Sequence, residues 1–305
     1  MPDPTELAII ATFSLALGVF VVGAGIQRIR YKSIERPPEL PPVLEGASPD
    51  FQPSVEEIAS RSSLGKIPTW FYRNTDLLGI GFIFLLFFGL VVSSLRSPEE
   101  VELKLDKATI IGAIGFQFIG AGIVTFFVIS RINPIQWLGL KWPSWPWIFL
   151  IAPGSVFFMW VVIALLQIGG FMDWINSFGV DTIQDTVKLL QTTQDPQLLS
   201  LMVFAALVAA PLCEEIIFRG YLYPAAKKFS GPRVAGICSA LVFTAAHGNM
   251  AAILPLFIFG CLLVFIYEKT GSIWAPIAVH CCFNSATVIA QMIDRFVHLP
   301  LPPSS

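Results

Sequence analysis

Apolar residues fill eight separate stretches of this chain, at about 7–26, 77–95, 108–130, 147–168, 198–226, 234–247, 251–267 and 273–293. A helix that crosses the hydrocarbon core of a bilayer needs about 20 such residues, and most of these stretches approach or exceed that length. The expected fold is therefore all-α and polytopic, with about eight transmembrane helices. Composition agrees: 55% of the 305 residues are hydrophobic, 13% are charged, and the mean hydropathy is +0.72, too apolar for an ordinary soluble domain.

Cytoplasmic loops collect Lys and Arg. Placing 27–76 in the cytoplasm lets the eight stretches alternate, with most of the 19 Lys and Arg on the inner side and the N-terminus outside. The net charge of −2 adds little to this. The tail Met1-Pro2-Asp3-Pro4-Thr5-Glu6 has no basic region, while Arg28, Arg30 and Lys32 follow the first apolar run, the pattern of an anchor rather than of a cleaved signal. The chain divides into an anchor and Pro-rich linker (1–76), accessory membrane helices (77–197), a core of the last four spans (198–293) and a short tail (294–305). Its expected place is the plasma or inner membrane, as a multi-pass protein in contact with lipid.

The linker carries Pro37, Pro38, Pro41, Pro42, Pro49 and Pro53, which disfavour regular helix. A capping box at Ser54-Val55-Glu56-Glu57 then marks a short helix. Trp137, Trp142, Trp145 and Trp147 crowd the start of the fourth span, as rings at headgroup level do. Segment 169–197 is mixed, with Ile183, Val187 and Leu190 spaced for one helical face, and is expected on the outer surface. Cys213, Cys238, Cys261, Cys281 and Cys282 lie in or beside apolar runs and are read as free, buried thiols. There is no internal repeat and no nucleic-acid signature.

The ionisable residues inside the apolar runs, Glu214, Glu215, Arg219, His247 and His280, all fall after residue 210. A charge at the bilayer centre costs about 2.5–3.5 kcal/mol even on lenient insertion scales, so this clustering marks a site of function. Glu215 and Arg219 are four residues apart and neighbours on one helical face. Glu214 points roughly 100° away, a carboxylate the pair leaves unsatisfied and a candidate general base. The spacing alone is weak, since Glu56-Glu57-Ile58-Ala59-Ser60-Arg61 repeats it in a polar segment, where it reads as a solvated helix face.

His247 follows Phe243 by four residues and His280 precedes Asn284 by four, so each helix turns a short stripe to one side. At ~1.5 Å per residue, Glu214 lies about 20 Å beyond Lys227, His247 about 21 Å beyond Arg233, and His280 and Asn284 about 16 and 22 Å beyond Lys269. Three helices thus offer a carboxylate, two imidazoles and an amide at one level. Stretch 234–247 is too short to cross alone, so Gly248-Asn249-Met250 is expected at membrane depth, where backbone is tolerated in buried or wet settings. A wet pocket so equipped suits hydrolysis of a carbonyl compound.

Glu214-Glu215-x-x-x-Arg219, Phe243-x-x-x-His247 and His280-x-x-x-Asn284, in that order on apolar helices, resemble the CPBP family, also called the Abi or CAAX-protease family. That family includes the prenyl-protein endopeptidase Rce1 and bacteriocin-associated membrane proteins. The match spans about 200–293; the first four spans and the linker carry no matching motif. The resemblance implies an intramembrane endopeptidase whose active site lies among the last four helices. In it Glu214 and His247 would activate water, His280 and Asn284 would form an oxyanion site, and Glu215, Arg219 and Phe243 would support them. It implies a membrane-associated protein or peptide as substrate, prenylated or leader-bearing.

No cofactor is favoured. The mechanistic rival is zinc held by Glu214, His247 and His280, with water at a fourth position. Against it, the H-E-x-x-H helix is absent and Asn284 suits a hydrogen-bond donor better than a ligand. There is no G-x-S-G for a serine site and no G-x-G-D or paired membrane aspartates for an aspartyl one. Two other functions stay open: a non-proteolytic partner or bacteriocin self-immunity protein, which would tolerate loss of Glu214, and a transporter, for which no inverted repeat is visible.

Overall fold

The structure, a computed structural model, describes residues 3–34, 66–95, 106–180 and 185–298. The capping box at Ser54, the Glu56–Arg61 repeat of the spacing and Ile183 lie outside these residues. Within them the chain is helical throughout, and eight principal helices correspond to the eight apolar stretches: α1 (Pro4–Ile34), α2 (Asp76–Leu95), α3 (Lys107–Ile129), α4 (Ile148–Ile168), α5 (Pro196–Ser230), α6 (Pro232–Ala245), α7 (Ile253–Thr270) and α8 (Trp274–His298). Seven segments are long and apolar enough to cross a bilayer, α6 at 14 residues being the short one. This is a multi-pass membrane protein. Two boundaries run past expectation, since α1 continues through Arg30 to Ile34 and α8 to His298.

Most of the helices bury a stripe and leave the rest for lipid. On α1, Ile9, Phe13, Ala16 and Phe20 recur at helical spacing and are buried, while Leu15, Val21 and Val22 face outward. That stripe packs on α6, a short helix buried along most of its length. The core helix is α5, which touches α3, α7 and α8 as well as its neighbours in sequence. Lys107 at the start of α3 pairs with Asp195, the N-cap of α5, at 2.7 Å, so these two helices run side by side in the same direction. Between α4 and α5, helices Phe171–Asn176 and Asp185–Thr192 form the mixed segment, and Leu190 packs with Ile110, Leu198 and Met202.

The tryptophans divide. Trp145 and Trp147 are more than half exposed, as a headgroup belt requires, but Trp137 is 2% exposed and donates a hydrogen bond in the interior. A belt tryptophan and an anchoring tryptophan look alike in sequence because both sit where an apolar run begins. Of the cysteines, Cys213 and Cys238 are fully buried and all five are free thiols.

Candidate active site

Helix α5 is not a regular α-helix. Asp195 caps its start by accepting from the amides of Gln197 and Leu198. It then widens into two π-helical stretches, Ala205–Ala209 and Glu215–Leu222, where the amides of Ala210 and Tyr223 bond the carbonyls of Ala205 and Phe218, five residues back. Each stretch stops just before a proline, Pro211 or Pro224, which has no N–H to give and crowds the preceding turn. The chain between the two stretches ends on Glu214, and the second opens on Glu215.

Glu215 and Arg219 are both completely buried, with Nη1 to Oε1 at 3.0 Å. Arg219 also donates Nη2 to the Gly260 carbonyl at 3.2 Å, and its guanidinium lies 4.4 Å from the centre of the Phe243 ring. His280, 3% exposed, brings Nδ1 to 2.9 Å from the same Glu215 oxygen. Its Nε2 stands 4.0 Å from Oε2 of Glu214, whose side chain is 17% exposed. The imidazole is thus held between two carboxylates, bonded to the inner one and facing the outer one across a gap that one water would bridge. Phe259 and Phe243 wall it edge-on at 5.4 and 6.0 Å.

His247 sits in the turn after α6, its ring 4.8 Å from that of Phe243. Nδ1 is 2.8 Å from the Phe243 carbonyl, which can only accept, so Nδ1 carries a proton and, in the neutral ring, the lone pair lies on Nε2. The following turn has Gly248 at φ 65°, and Asn249 caps it by accepting from the amide of Ala252. Asn284 donates Nδ2 to the Ala206 carbonyl at 2.8 Å. That carbonyl lacks a helical donor, because Ala210 bonds Ala205 and the next residue, Pro211, has no N–H. One N–H of the Asn284 amide is therefore committed to the backbone and the second is free.

The structure gathers Glu214, Glu215, Arg219, Phe243 and His280 into one contact network and joins His247 to it through Phe243. It is His280, rather than His247, that contacts the carboxylates. Buried polar side chains almost always find partners. Among the described residues the buried side-chain atoms without one are Glu214 Oε2, Glu215 Oε2, Arg219 Nε, Thr244 Oγ1 and Gln117 Oε1. The first three belong to this cluster and Thr244 adjoins Phe243. Sequence reading missed Gly260 and Phe259, which carry no motif and matter only for where they stand. It also passed over Pro211 and Pro224, whose positions inside an apolar run were visible signals of a broken helical ladder.

Glu214, His247 and His280 do not form a metal-binding group: among the described residues no three His, Cys, Asp or Glu side chains converge on one point. His247 turns Nδ1 to its own helix, and His280 spends Nδ1 on Glu215. The residues present thus do not fit a zinc ion in this arrangement. Beside the cluster, an apolar groove of about 750 Å³ opens between α4 and α8, lined by Trp142, Trp145 and Trp274 at one end and by Cys281, Cys282 and Ser285 farther along.

A second polar cluster lies toward the basic end of α5. Asp76 accepts from Tyr221 at 2.9 Å and from Arg131 at 2.6 Å, and Glu268 binds Lys227 and Tyr223.

Residues 196–286 match the family model described as type II CAAX prenyl endopeptidase Rce1-like. Over 96 residues the chain is 31% identical to YdiL of Bacillus subtilis (strain 168), a protein named for a proposed membrane-peptidase activity. That match covers 32% of this chain and 39% of YdiL, so the shared part is well under half of either protein. No solved structure matches the chain.

Proposed function

From the premise that this chain is a member of the CPBP, or CAAX-protease, family through residues 196–286, we propose that it is an intramembrane endopeptidase working through a carboxylate–imidazole site without a metal. The observation that carries the reading is His280 fixed by Glu215 and Arg219 so that its other nitrogen faces Glu214, a carboxylate oxygen with no partner of its own. A carboxylate behind an imidazole fixes the ring as it does in a catalytic triad; here the fixed ring serves the developing oxyanion and Glu214 is the base toward water.

Glu214, helped by the Nε2 lone pair of His247, takes a proton from water as its oxygen attacks the scissile carbonyl carbon. The free N–H of Asn284 hydrogen-bonds the oxygen that becomes negative, and so does His280 Nε2–H when the ring carries a proton on both nitrogens, its Nδ1–H being given to Glu215. The C–N bond then breaks, and the proton held by Glu214 passes to the leaving nitrogen, giving a carboxylic acid and an amine. Arg219 holds Glu215 in place. The apolar groove beside Cys281 and Cys282 seats a hydrophobic stretch of a membrane-associated protein or peptide. A prenylated or leader-bearing substrate fits this description, in the plasma or inner membrane.

The test compares peptide termini in the membrane proteomes of cells carrying the wild-type protein or Glu214→Gln at equal abundance. Termini present only with the wild type support the reading and name the substrate. Identical termini, with a deletion phenotype that Glu214→Gln still rescues, replace it with a binding or immunity role.

A further inference from the structure

Pro224 has a second consequence for α5. The carbonyl of Gly220, four residues earlier, cannot receive the usual helical amide. It accepts two side-chain donors from outside the family-matched segment instead: Tyr72 Oη at 2.8 Å and Trp137 Nε1 at 2.8 Å. The two donors touch each other, Trp137 Nε1 lying 3.2 Å from Tyr72 Oη. All three groups are buried. A Cβ at position 220 would stand 2.9 Å from Leu138, so glycine is what allows the Trp137–Leu138 segment to lie against the helix. Burial raises the Tyr72 hydroxyl well above its usual range, which keeps it a donor at any physiological pH.

These bonds hold the middle of the π-helical stretch Glu215–Leu222. A π turn carries one residue more than an α turn and persists only where its surroundings enforce it. Relaxation of that extra residue would rotate the part before it relative to the part after it by roughly 100°. The part after it is pinned by Lys227 to Glu268 and to the Ile67 carbonyl. The part before it carries Glu214 and Glu215, so the rotation would carry Glu215 off His280.

We propose that Tyr72 and Trp137 are positioning residues for the glutamate pair: by holding the Gly220 carbonyl they keep α5 in the π register that aims Glu215 at His280. Segments that the family match does not include would then complete its site. The importance of that register for catalysis rests on the function proposed above, but the register itself can be tested without any substrate.

The chain has three histidines, His247, His280 and His298, so ring-nitrogen NMR of ¹⁵N-histidine-labelled protein in lipid nanodiscs can be assigned by single His→Gln changes. Glu215→Gln provides the reference for a His280 whose Nδ1 has lost its carboxylate. In Tyr72→Phe combined with Trp137→Phe, the His280 Nδ1 resonance should move toward that reference while His247 and His298 stay put. Tyr72→Phe alone, which removes a single oxygen, should move it part of the way and decides the matter if the double variant does not fold. A His280 resonance at the wild-type position in the folded variant overturns the proposal. With the resonance displaced, cleavage per folded molecule should fall about 10-fold to 100-fold, the scale of a small misplacement. If Glu214→Gln left every terminus unchanged while Tyr72→Phe still moved His280, the positioning role would stand and the hydrolytic reading would fall.

Discussion

Helix α5 carries two buried polar clusters, and they differ in how completely their hydrogen bonds are made. At the basic end, both oxygens of Asp76 are used, by Tyr221 and by Arg131 with the Arg73 amide. Glu268 likewise takes Lys227 and Tyr223 on one oxygen and the Ile67 amide on the other. About two turns away, Glu214, Glu215 and Arg219 each keep a buried polar atom with no protein partner. A cluster that only ties helices together is most stable when saturated, because every unmade buried bond costs about 1–3 kcal/mol. A cluster that must bind water and a peptide group cannot be saturated by the protein alone. Under the function proposed above, the contrast is one between structural and reactive polarity on a single helix.

The comparison can be broken most easily at Arg219. Replacing it with Met leaves Glu215 buried without its cation, which should lower unfolding stability by about 3–5 kcal/mol and abolish cleavage. Denaturant unfolding in detergent reads the first effect, and a preserved transition midpoint would deny that the pair is held as described. Asn284→Ala comes next. Loss of an oxyanion donor should reduce turnover by about 10²–10³-fold, or ~2.7–4 kcal/mol, with a smaller stability loss from the uncapped Ala206 carbonyl. A turnover within a few-fold of wild type would confine Asn284 to that backbone role.

Glu268→Gln sharpens the other side of the contrast. The amide still accepts from Tyr223, so stability should fall by about 1–3 kcal/mol while cleavage per folded molecule stays unchanged. A large loss of turnover in well-folded protein would mean the basic-end cluster is not merely structural. The smallest expected effect is that of a chelator. Prolonged dialysis against EDTA should leave cleavage unaltered, and recovery of a lost activity by zinc alone would restore the metal reading.

Much of this was visible before any coordinates. Eight apolar stretches translated into eight helices because membrane burial imposes a length and a composition that few other structures share. The Glu215–Arg219 pair followed from spacing on one face, and the stray direction of Glu214 from the same geometry. The partner of His280 was not visible, because which imidazole meets which carboxylate depends on the crossing of α5 and α8, and no residue pattern encodes that crossing. Trp137 was misplaced for a related reason: headgroup rings and buried donors begin apolar runs alike, and only the Gly220 carbonyl tells them apart. Pro211 and Pro224 were legible as helix breakers, but whether a proline kinks a helix, ends it or widens it depends on the donors that reach the freed carbonyls, here Asn284, Tyr72 and Trp137.

The central claim, that the unsaturated cluster is the hydrolytic one, is tested most directly by measuring stability and cleavage together in Glu214→Gln. An amide in place of an unpartnered buried carboxylate should leave the thermal midpoint unchanged or raised, since active-site groups commonly cost stability, while every Glu214-dependent terminus disappears. A lowered midpoint with cleavage intact would show that Glu214 holds the helices together and that the chemistry lies elsewhere.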